Sequence, residues 1–258
     1  MTPIRNMEVY NAGMRKSMLD KIWWMDKIDD SVDSVMDYGC ADGALLSMVH
    51  DMNPDLALFG YDFNSDMIDL ASDNVKTGCF ATDFNILNRL ISEKDKCVLI
   101  ASSVFHEIEN YSDIVAEEYS RIFDTGYKYV AVRDMFVSEK SYKLSDPLTV
   151  AKVRQKFDYN KIQEFETYMG SLDYNENLLQ FFLTYRYKEN WDREVRENYF
   201  PHTVEQFLNK IPDHYQVVYF KHYTLPFVRD QVWKDFGVQI TEPTHAKILL
   251  KLKDNLDD

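Results

Sequence analysis

The sequence is poor in cysteine, and this bounds the class of protein. It has three cysteines in 258 residues, Cys40, Cys79 and Cys97, and each falls in or beside a predicted strand. An odd number of cysteines so placed predicts reduced thiols of an intracellular protein rather than a disulfide framework. None of them has the cysteine or histidine spacing of a zinc site.

Long hydrophobic runs are also missing. The longest apolar stretch, residues 97–105, is far too short to span a bilayer. The first 16 residues are polar and do not resemble a secretory signal. We therefore expect a cytoplasmic protein that has no membrane partner.

Basic residues are outnumbered by acidic ones. The chain has 29 Lys and Arg against 43 Asp and Glu, which gives a formal net charge of −14. This balance argues against broad binding to a phosphate backbone, because such binding needs clustered basic side chains. It leaves room for a locally basic pocket.

Several catalytic signatures are absent from the sequence. There is no G-x-S-x-G elbow, no H-E-x-x-H helix and no EF-hand loop, and no Gly-Lys-Ser/Thr follows the glycines as in a P-loop. Serine hydrolysis therefore has no support, and we predict no metal site.

What the chain does have is a regular alternation of strand and helix patterns. Apolar runs at 34–37, 56–61, 79–82, 97–102 and 127–132 predict strands, with helices at 44–52, 65–76 and 112–123. Two later runs, 215–223 and 245–252, predict further strands, with helices at 203–211 and 227–236. This rhythm predicts an α/β fold with a doubly wound parallel sheet.

The most informative stretch lies at the end of the first predicted strand. Asp37 ends an apolar run, Gly39 and Gly43 permit a tight turn, and a helical pattern begins at residue 44. Asp62 ends the next run, 19 residues after Gly43. At that spacing a nucleotide-binding βαβ unit places a carboxylate on ribose hydroxyls.

Four segments resemble the motifs of class I S-adenosylmethionine (SAM)-dependent methyltransferases. Residues 37–43, Asp-Tyr-Gly-Cys-Ala-Asp-Gly, resemble their first motif, D-x-G-x-G-x-G, with Ala41 in place of the middle glycine. Residues 60–67, 81–84 and 98–108 resemble the second, third and fourth motifs, in the right order. The resemblance implies a Rossmann-like, mostly parallel seven-stranded sheet with an antiparallel last strand, and SAM as the cofactor.

The resemblance also implies which residues hold the donor. Asp62 would accept hydrogen bonds from both ribose hydroxyls, since a carboxylate has two oxygens. Asp83 and the backbone amide of Phe84 would contact adenine, and Met67 would lie against its face. The full implied set is Asp37, Gly39, Ala41, Gly43, Asp62, Phe63, Met67, Asp83, Phe84 and Ser102. The alternatives are solvated acids in turns for Asp62 and Asp83, and a core position for Met67.

Candidate catalytic residues follow the fourth and fifth strands. Methyl transfer gains most from alignment of donor and acceptor, but an acceptor that loses a proton also needs a base. His106, with Glu107 beside it, is the best-placed base, because the ordinary pKa of histidine suits the task. Arg133 ends the fifth strand and could orient an acceptor. The alternatives are that His106 packs or caps the next helix, and that Arg133 pairs with Asp134.

The chain divides into four predicted segments. Residues 1–30 would carry a leading helix, 7–28, that covers the donor, and 31–135 would form the SAM-binding core. Residues 136–200 contain no convincing strand and many aromatic side chains, which predicts a helical insertion of two or three helices, a lid over the acceptor side. Residues 201–258 would complete the sheet.

The sequence thus predicts a class I methyltransferase that acts on a small-molecule acceptor. An RNA or nucleotide acceptor is an alternative, because the insertion contains scattered Lys and Arg residues. A silent SAM-binding or protein-interaction domain is another. A nicotinamide-dependent oxidoreductase shares the sheet but is disfavoured by the spacing of Ala41 and Gly43. The sequence makes no prediction about the oligomeric state.

Overall fold

A computed structural model describes residues 17–254, and these form two compact units. One unit contains residues 17–134, 211–221 and 247–254, and carries most of the sheet. The other contains residues 135–210 and 222–246, and its helices lie mainly in the segment predicted as an insertion. Residues 1–16, which include the first ten residues of the predicted helix 7–28, lie outside the described residues.

The sheet has seven strands in the order β3-β2-β1-β4-β5-β7-β6. Their bounds are β1 Ser34–Tyr38, β2 Ala57–Tyr61, β3 Cys79–Ala81, β4 Cys97–Ser102, β5 Tyr129–Met135, β6 Tyr215–Tyr223 and β7 His245–Leu252. β1 and β4 at the centre are almost entirely buried, as their continuous apolar sequences predict. The strand order reverses between β1 and β4, the place where doubly wound sheets bind ligands.

The first five strands are parallel and in register. Asp37 of β1 lies opposite Gly60 of β2 on one side and Ile100 of β4 on the other. β3 pairs with β2 and β5 pairs with β4 in the same direction. The carboxyl ends of these five strands therefore meet at one edge of the sheet, and every motif predicted to hold the donor lies there.

The last strand runs against the others. The Leu252 amide donates to the Lys128 carbonyl (2.9 Å), whereas the Phe136 amide donates to the Thr244 carbonyl (3.0 Å), so partners advance in opposite directions along β5 and β7. Lys253 likewise donates to the His214 carbonyl at the start of β6 (2.8 Å). The predicted Rossmann-like sheet with an antiparallel last strand is confirmed.

Helices of the sheet-bearing unit fill the crossovers between strands. They are α1 Met18–Lys21, α2 Ala44–Met52, α3 Ser65–Asn74, α4 Phe84–Leu90, α5 Phe105–Tyr111 and α6 Val115–Phe123. Asn64 and Asp83 cap α3 and α4, each accepting from the backbone amide two residues on. α2 follows Gly43, whose φ of +77° is the left-handed conformation that glycine adopts without strain.

Two predicted helices differ from the structure, and two observed helices were not predicted. In the described part of the predicted leading helix, the helix ends at Lys21 and turns follow to residue 27. The short helices α4 and α5 were not predicted, and the predicted helix 112–123 begins only at Val115. α5 has no side-chain cap from its own N-cap residue, Val104, so the local sequence holds no start signal for it.

The other unit is mainly helical. Its helices are α7 Pro147–Lys156, α8 Tyr159–Met169, α9 Asn175–Thr184, α10 Trp191–Glu194, α11 Val204–Leu208 and α12 Pro226–Phe236. Asp146 and Asp158 cap α7 and α8. The buried rings of Phe181 and Tyr185 stack with centroids 5.7 Å apart, and Phe236 lies 4.9 Å from Tyr185. The aromatic residues of this segment therefore form a core of their own.

Among residues 17–254, every helix falls short of the length and apolar character that crossing a membrane requires.

Two glycines with left-handed backbones provide a stability test. A Cβ at Gly43 would lie 3.1 Å from the Cβ of Ala71 and 3.2 Å from its Cα, whereas a Cβ at Gly126 would meet nothing within 4 Å. Gly126→Ala should lower the free energy of unfolding by about 1–2 kcal/mol, the cost of positive φ. Gly43→Ala should lower it by a further 1–3 kcal/mol or so from overpacking. Urea denaturation of the two variants measures these losses. If Gly43→Ala and Gly126→Ala lose equal stability, the added methyl group at Gly43 does not overpack against Ala71 of α3.

Candidate functional site

The turn after β1 is held by the neighbouring strand. The amides of Gly39 and Cys40 both donate to the carbonyl of Tyr61, each at 2.8 Å. Gly39 has φ +81°, and Ala41 has φ +46°, a left-handed conformation that costs a residue with a Cβ about 1–2 kcal/mol. Both residues are exposed, so the backbone of this turn is open to close approach by a ligand.

Asp62 stabilises the strained part of that turn. Its Oδ2 accepts from the Ala41 amide (3.0 Å), and its Oδ1 accepts from the Asn64 amide (2.9 Å). Burial raises the pKa of this carboxyl, and the two backbone N–H groups partly offset the rise. Since each carboxylate oxygen accepts more than one hydrogen bond, Asp62 retains acceptor capacity for a ligand.

Of the residues predicted to contact adenine, some are exposed and one has a buried side chain. Asp83 is exposed and caps α4 by accepting from the Asn85 amide (2.9 Å). The Phe84 ring is buried, with its centroid 5.3 Å from the ring of Tyr38. The Phe84 ring is therefore part of the core and is not available to a ligand. Phe63 is 72% exposed and Met67 is half-buried.

Asp37 and Lys21 are buried ions of opposite charge. Asp37 is 2% exposed and Lys21 is 6% exposed, and within residues 17–254 neither side chain makes a hydrogen bond or an ion pair. Burial raises the pKa of Asp37 to about 7, against the attraction of Lys21. Burial, helped by the positive charge of Arg133, lowers the pKa of Lys21 to about 8. Buried charges without a direct hydrogen-bond partner are costly, and groups perturbed in this way are candidates for a functional site.

Ser102, at the end of β4, has an unsatisfied hydroxyl. Its Oγ is buried and has no hydrogen-bond partner in the described part of the chain. The next residue, Ser103, has φ +60°, and its amide donates to the Arg133 carbonyl (2.7 Å). A buried hydroxyl without a partner costs free energy unless a ligand or water satisfies it.

His106 lies in the first turn of α5 and is 4% exposed. Its Nδ1 is 2.8 Å from Oδ1 of Asp134, which is fully buried in β5. The other carboxylate oxygen of Asp134 accepts from the amide of Phe105 (2.7 Å). The predicted base is thus held by a buried acid on the adjacent strand.

Arg133 has partners that differ from the one considered in the sequence. Its Nε donates to Asp20 (3.1 Å) and its Nη1 donates to the Ser103 hydroxyl (2.8 Å). Asp20 is also paired with Lys247, at 2.5 Å. Arg133 is 3% exposed, so these contacts favour a role in holding the ends of β4 and β5 over direct contact with an acceptor.

Sequence reasoning missed Asp20 and Lys21, and did not assign Asp134 to His106. The first two lie in the helix that the sequence predicted to cover the donor, but neither residue was singled out there. The contacts of Asp20 come from Arg133 of β5 and Lys247 of β7, which are more than 100 residues away in the chain. The burial of a lysine beside an apolar run is not encoded locally, so the sequence held no signal for it.

The structure is similar to solved structures of other proteins, whereas the sequence alone matches none. No protein-family model matches the sequence, and no curated protein is significantly similar to it. A SAM-dependent methyltransferase from Anabaena variabilis has a similar structure, with a TM-score of 0.52 and 10% identity, covering 93% of this chain and 85% of that one. TnmH matches with a TM-score of 0.51 and 12% identity, covering 95% of this chain and 57% of that one.

These similarities, together with the strand order, show that the chain has the fold of class I SAM-dependent methyltransferases. The resemblance that the four motifs carry in the sequence is confirmed at the level of the fold.

The raised pKa of Asp37 predicts how stability depends on pH. The folded pKa of about 7 lies above the unfolded value of about 3.9, so the native state binds an extra proton between them. The stability that comes from binding this proton is fully present below about pH 4 and is lost as the pH rises through 7. Asp37→Asn should therefore reduce the loss of stability between pH 5 and 8, by roughly 2–4 kcal/mol. Urea denaturation at pH 5 and pH 8 measures the free energy of unfolding of variant and parent. If both proteins lose the same stability between these pH values, the prediction is wrong.

Proposed function

We propose that the protein is a SAM-dependent methyltransferase that acts on a small molecule. The observation that carries this proposal is the set of unsatisfied polar groups at the carboxyl edge of the sheet. Asp37, Lys21 and the Ser102 hydroxyl are all buried there without hydrogen-bond partners in residues 17–254. On a methyltransferase fold, a donor with an amino-acid end and an adenosyl end would supply those partners.

The nucleoside end of the donor would be held by β2 and β3. Asp62 has the acceptor capacity for two ribose hydroxyls and is already fixed by two backbone amides. Asp83 and the Phe84 amide follow β3, where an adenine edge would need one acceptor and one donor. Met67 and the exposed Phe63 offer apolar surface nearby in the chain.

The amino-acid end would lie against β1 and β4. Its ammonium group is the natural partner of Asp37, and its carboxylate is the natural partner of Lys21. The exposed backbone of Gly39 and Ala41 would line this end of the donor. Binding would supply a direct hydrogen-bond partner to each buried charge, which is favourable because buried ions without such partners are costly.

When bound, SAM supplies an activated methyl group on a sulfonium. The protein then has to align the acceptor and accept a proton from it. We assign His106 as the base that accepts this proton. Glu107, the next residue of α5, is half-buried and is a second candidate catalytic residue. Arg133 would stabilise the strand ends rather than the acceptor.

A small-molecule acceptor is preferred to RNA because the protein carries a net charge of −14. The helical segment 136–200, which we predicted as a lid, has an aromatic core suited to rigid packing. RNA or nucleotide acceptors and a silent SAM-binding domain are the alternatives that the acceptor screen described below distinguishes.

Donor binding can be tested without knowing the acceptor. Calorimetric titration with S-adenosylhomocysteine should give a dissociation constant that rises roughly 10- to 100-fold in Asp62→Asn, as expected for weakened hydrogen bonds to a charged group. Asp66→Asn is the matched control, an exposed acid four residues on. It should bind like the parent protein.

A parent protein that binds neither SAM nor S-adenosylhomocysteine would refute the proposed cofactor. If NADH binds in their place, and binding is lost in Asp62→Asn, the oxidoreductase alternative is correct.

The role of His106 is tested by release of S-adenosylhomocysteine, measured by mass spectrometry across phenols, amines, thiols and an RNA pool. His106→Gln should lower turnover by roughly 100- to 10,000-fold, the usual contribution of a positioned base. Its affinity for S-adenosylhomocysteine should remain that of the parent. Loss of donor affinity instead would make His106 a structural or cofactor-binding residue, and donor binding without turnover on any acceptor supports the silent domain.

A further inference from the structure

The helical unit contains a cavity of its own. Its volume is about 590 Å³, within the range of small-molecule sites, which is roughly 300–1,000 Å³. All of its lining residues belong to that unit, and they come from α7 and the segment before it, from α9, and from the end of α12 and the loop after it. We propose that this cavity binds a small molecule with a flat apolar body and a carboxylate.

The floor of the cavity is one face of α9. Leu178, Leu179 and Phe182 lie three and four residues apart, so they share that face, and each is between 2% and 3% exposed. The same three side chains belong to the apolar core of the unit. The floor is therefore apolar and held in place by core packing, as in preformed ligand sites.

Two large apolar side chains at the cavity are exposed to water. Trp233, near the end of α12, is 56% exposed, and Leu144, before α7, is 72% exposed; both line the cavity. Within the described residues the Trp233 indole stacks on no other ring and its N–H makes no hydrogen bond. A flat apolar ligand would cover both side chains and remove their surface from water.

Lys152 of α7 supplies positive charge to the cavity. Its Nζ lies 3.4 Å from the Gly237 carbonyl, a long contact, and it forms no ion pair with any described residue. The other lysine of the cavity, Lys143, is already paired with Glu242 at 2.5 Å. Because an ammonium group has three N–H donors, Lys152 retains donors for an anionic group.

The one acid that lines this cavity is occupied by its own helix. Asp146 caps α7, and its Oδ2 accepts from the Thr149 hydroxyl (2.7 Å) and amide (3.0 Å). Asn175 also lines the cavity, and its Nδ2 is buried without a hydrogen-bond partner in the described chain. A carboxylate would accept from both Asn175 and Lys152, whereas an ammonium group would be repelled by Lys152.

The probe for this site is 2-naphthoate, followed by ligand-observed NMR. A carboxylate of this size should bind the parent protein with a dissociation constant on the order of 0.1–1 mM. Nuclear Overhauser effects should join its ring protons to the indole protons of Trp233, assigned by their loss in Trp233→Ala. The amine with the same rings, 2-naphthylmethylamine, should bind at least about tenfold more weakly.

Two variants test the residues that carry the proposal. Lys152→Gln should raise the dissociation constant for 2-naphthoate at least about tenfold, because a charge-assisted hydrogen bond is lost. Trp233→Ala should raise it by a similar factor of about ten, because the covered ring is lost. Both side chains are exposed, so both variants should fold.

Lys234→Gln is the matched control. Lys234 is exposed and follows Trp233 in α12, but it does not line the cavity. This variant should bind 2-naphthoate like the parent. It separates the local contact of Lys152 from a general loss of positive charge.

Absence of binding to the parent would refute the proposal, as would binding that either Lys152→Gln or Trp233→Ala leaves unchanged. Equal affinity for the amine would refute the carboxylate. The result is independent of the donor site, because Asp62 does not line this cavity and Asp62→Asn should bind 2-naphthoate like the parent. Loss of 2-naphthoate binding in Asp62→Asn would show that the probe occupies the donor site instead.

Discussion

The interaction on which the site depends is the pairing of β1 with β2 at their carboxyl ends. The Tyr61 carbonyl accepts from two amides of the turn after β1, and Asp62 accepts from a third, that of Ala41. These bonds hold Ala41 in a left-handed backbone conformation that it would not otherwise adopt. The open turn, the position of the acid that we propose for ribose, and the start of α2 all follow from this one pairing.

A second constraint is the burial of charge at the same edge. Arg133 and His106 are each paired with an acid, Asp20 and Asp134 respectively. Asp37 and Lys21 have no direct partner in the described residues, and burial moves the pKa of each toward neutrality. The edge thus combines satisfied pairs, which give rigidity, with buried ions that lack a direct partner, which we propose as the binding groups for a charged ligand.

Much of this was accessible to sequence reasoning because it is encoded locally. The strands at 97–102 and 215–223 and the turn at 37–43 follow from short-range patterns of apolar residues and glycine, and the structure confirms them. The helices α4 and α5 were missed because they are only seven residues long and α5 is capped by a distant residue. The partner of Arg133 was missed because it comes from a helix 113 residues away.

The sequence by itself determined the order of the strands and of the longer crossover helices, the family resemblance, and the identity of the acids at the ends of β1, β2 and β3. Those features depend on periodicity and on turn residues, which act over a few positions. Only the tertiary structure decided which buried ions have partners and which do not. That outcome depends on contacts between strands and helices far apart in the chain, and on the loss of water around them, neither of which a local pattern contains.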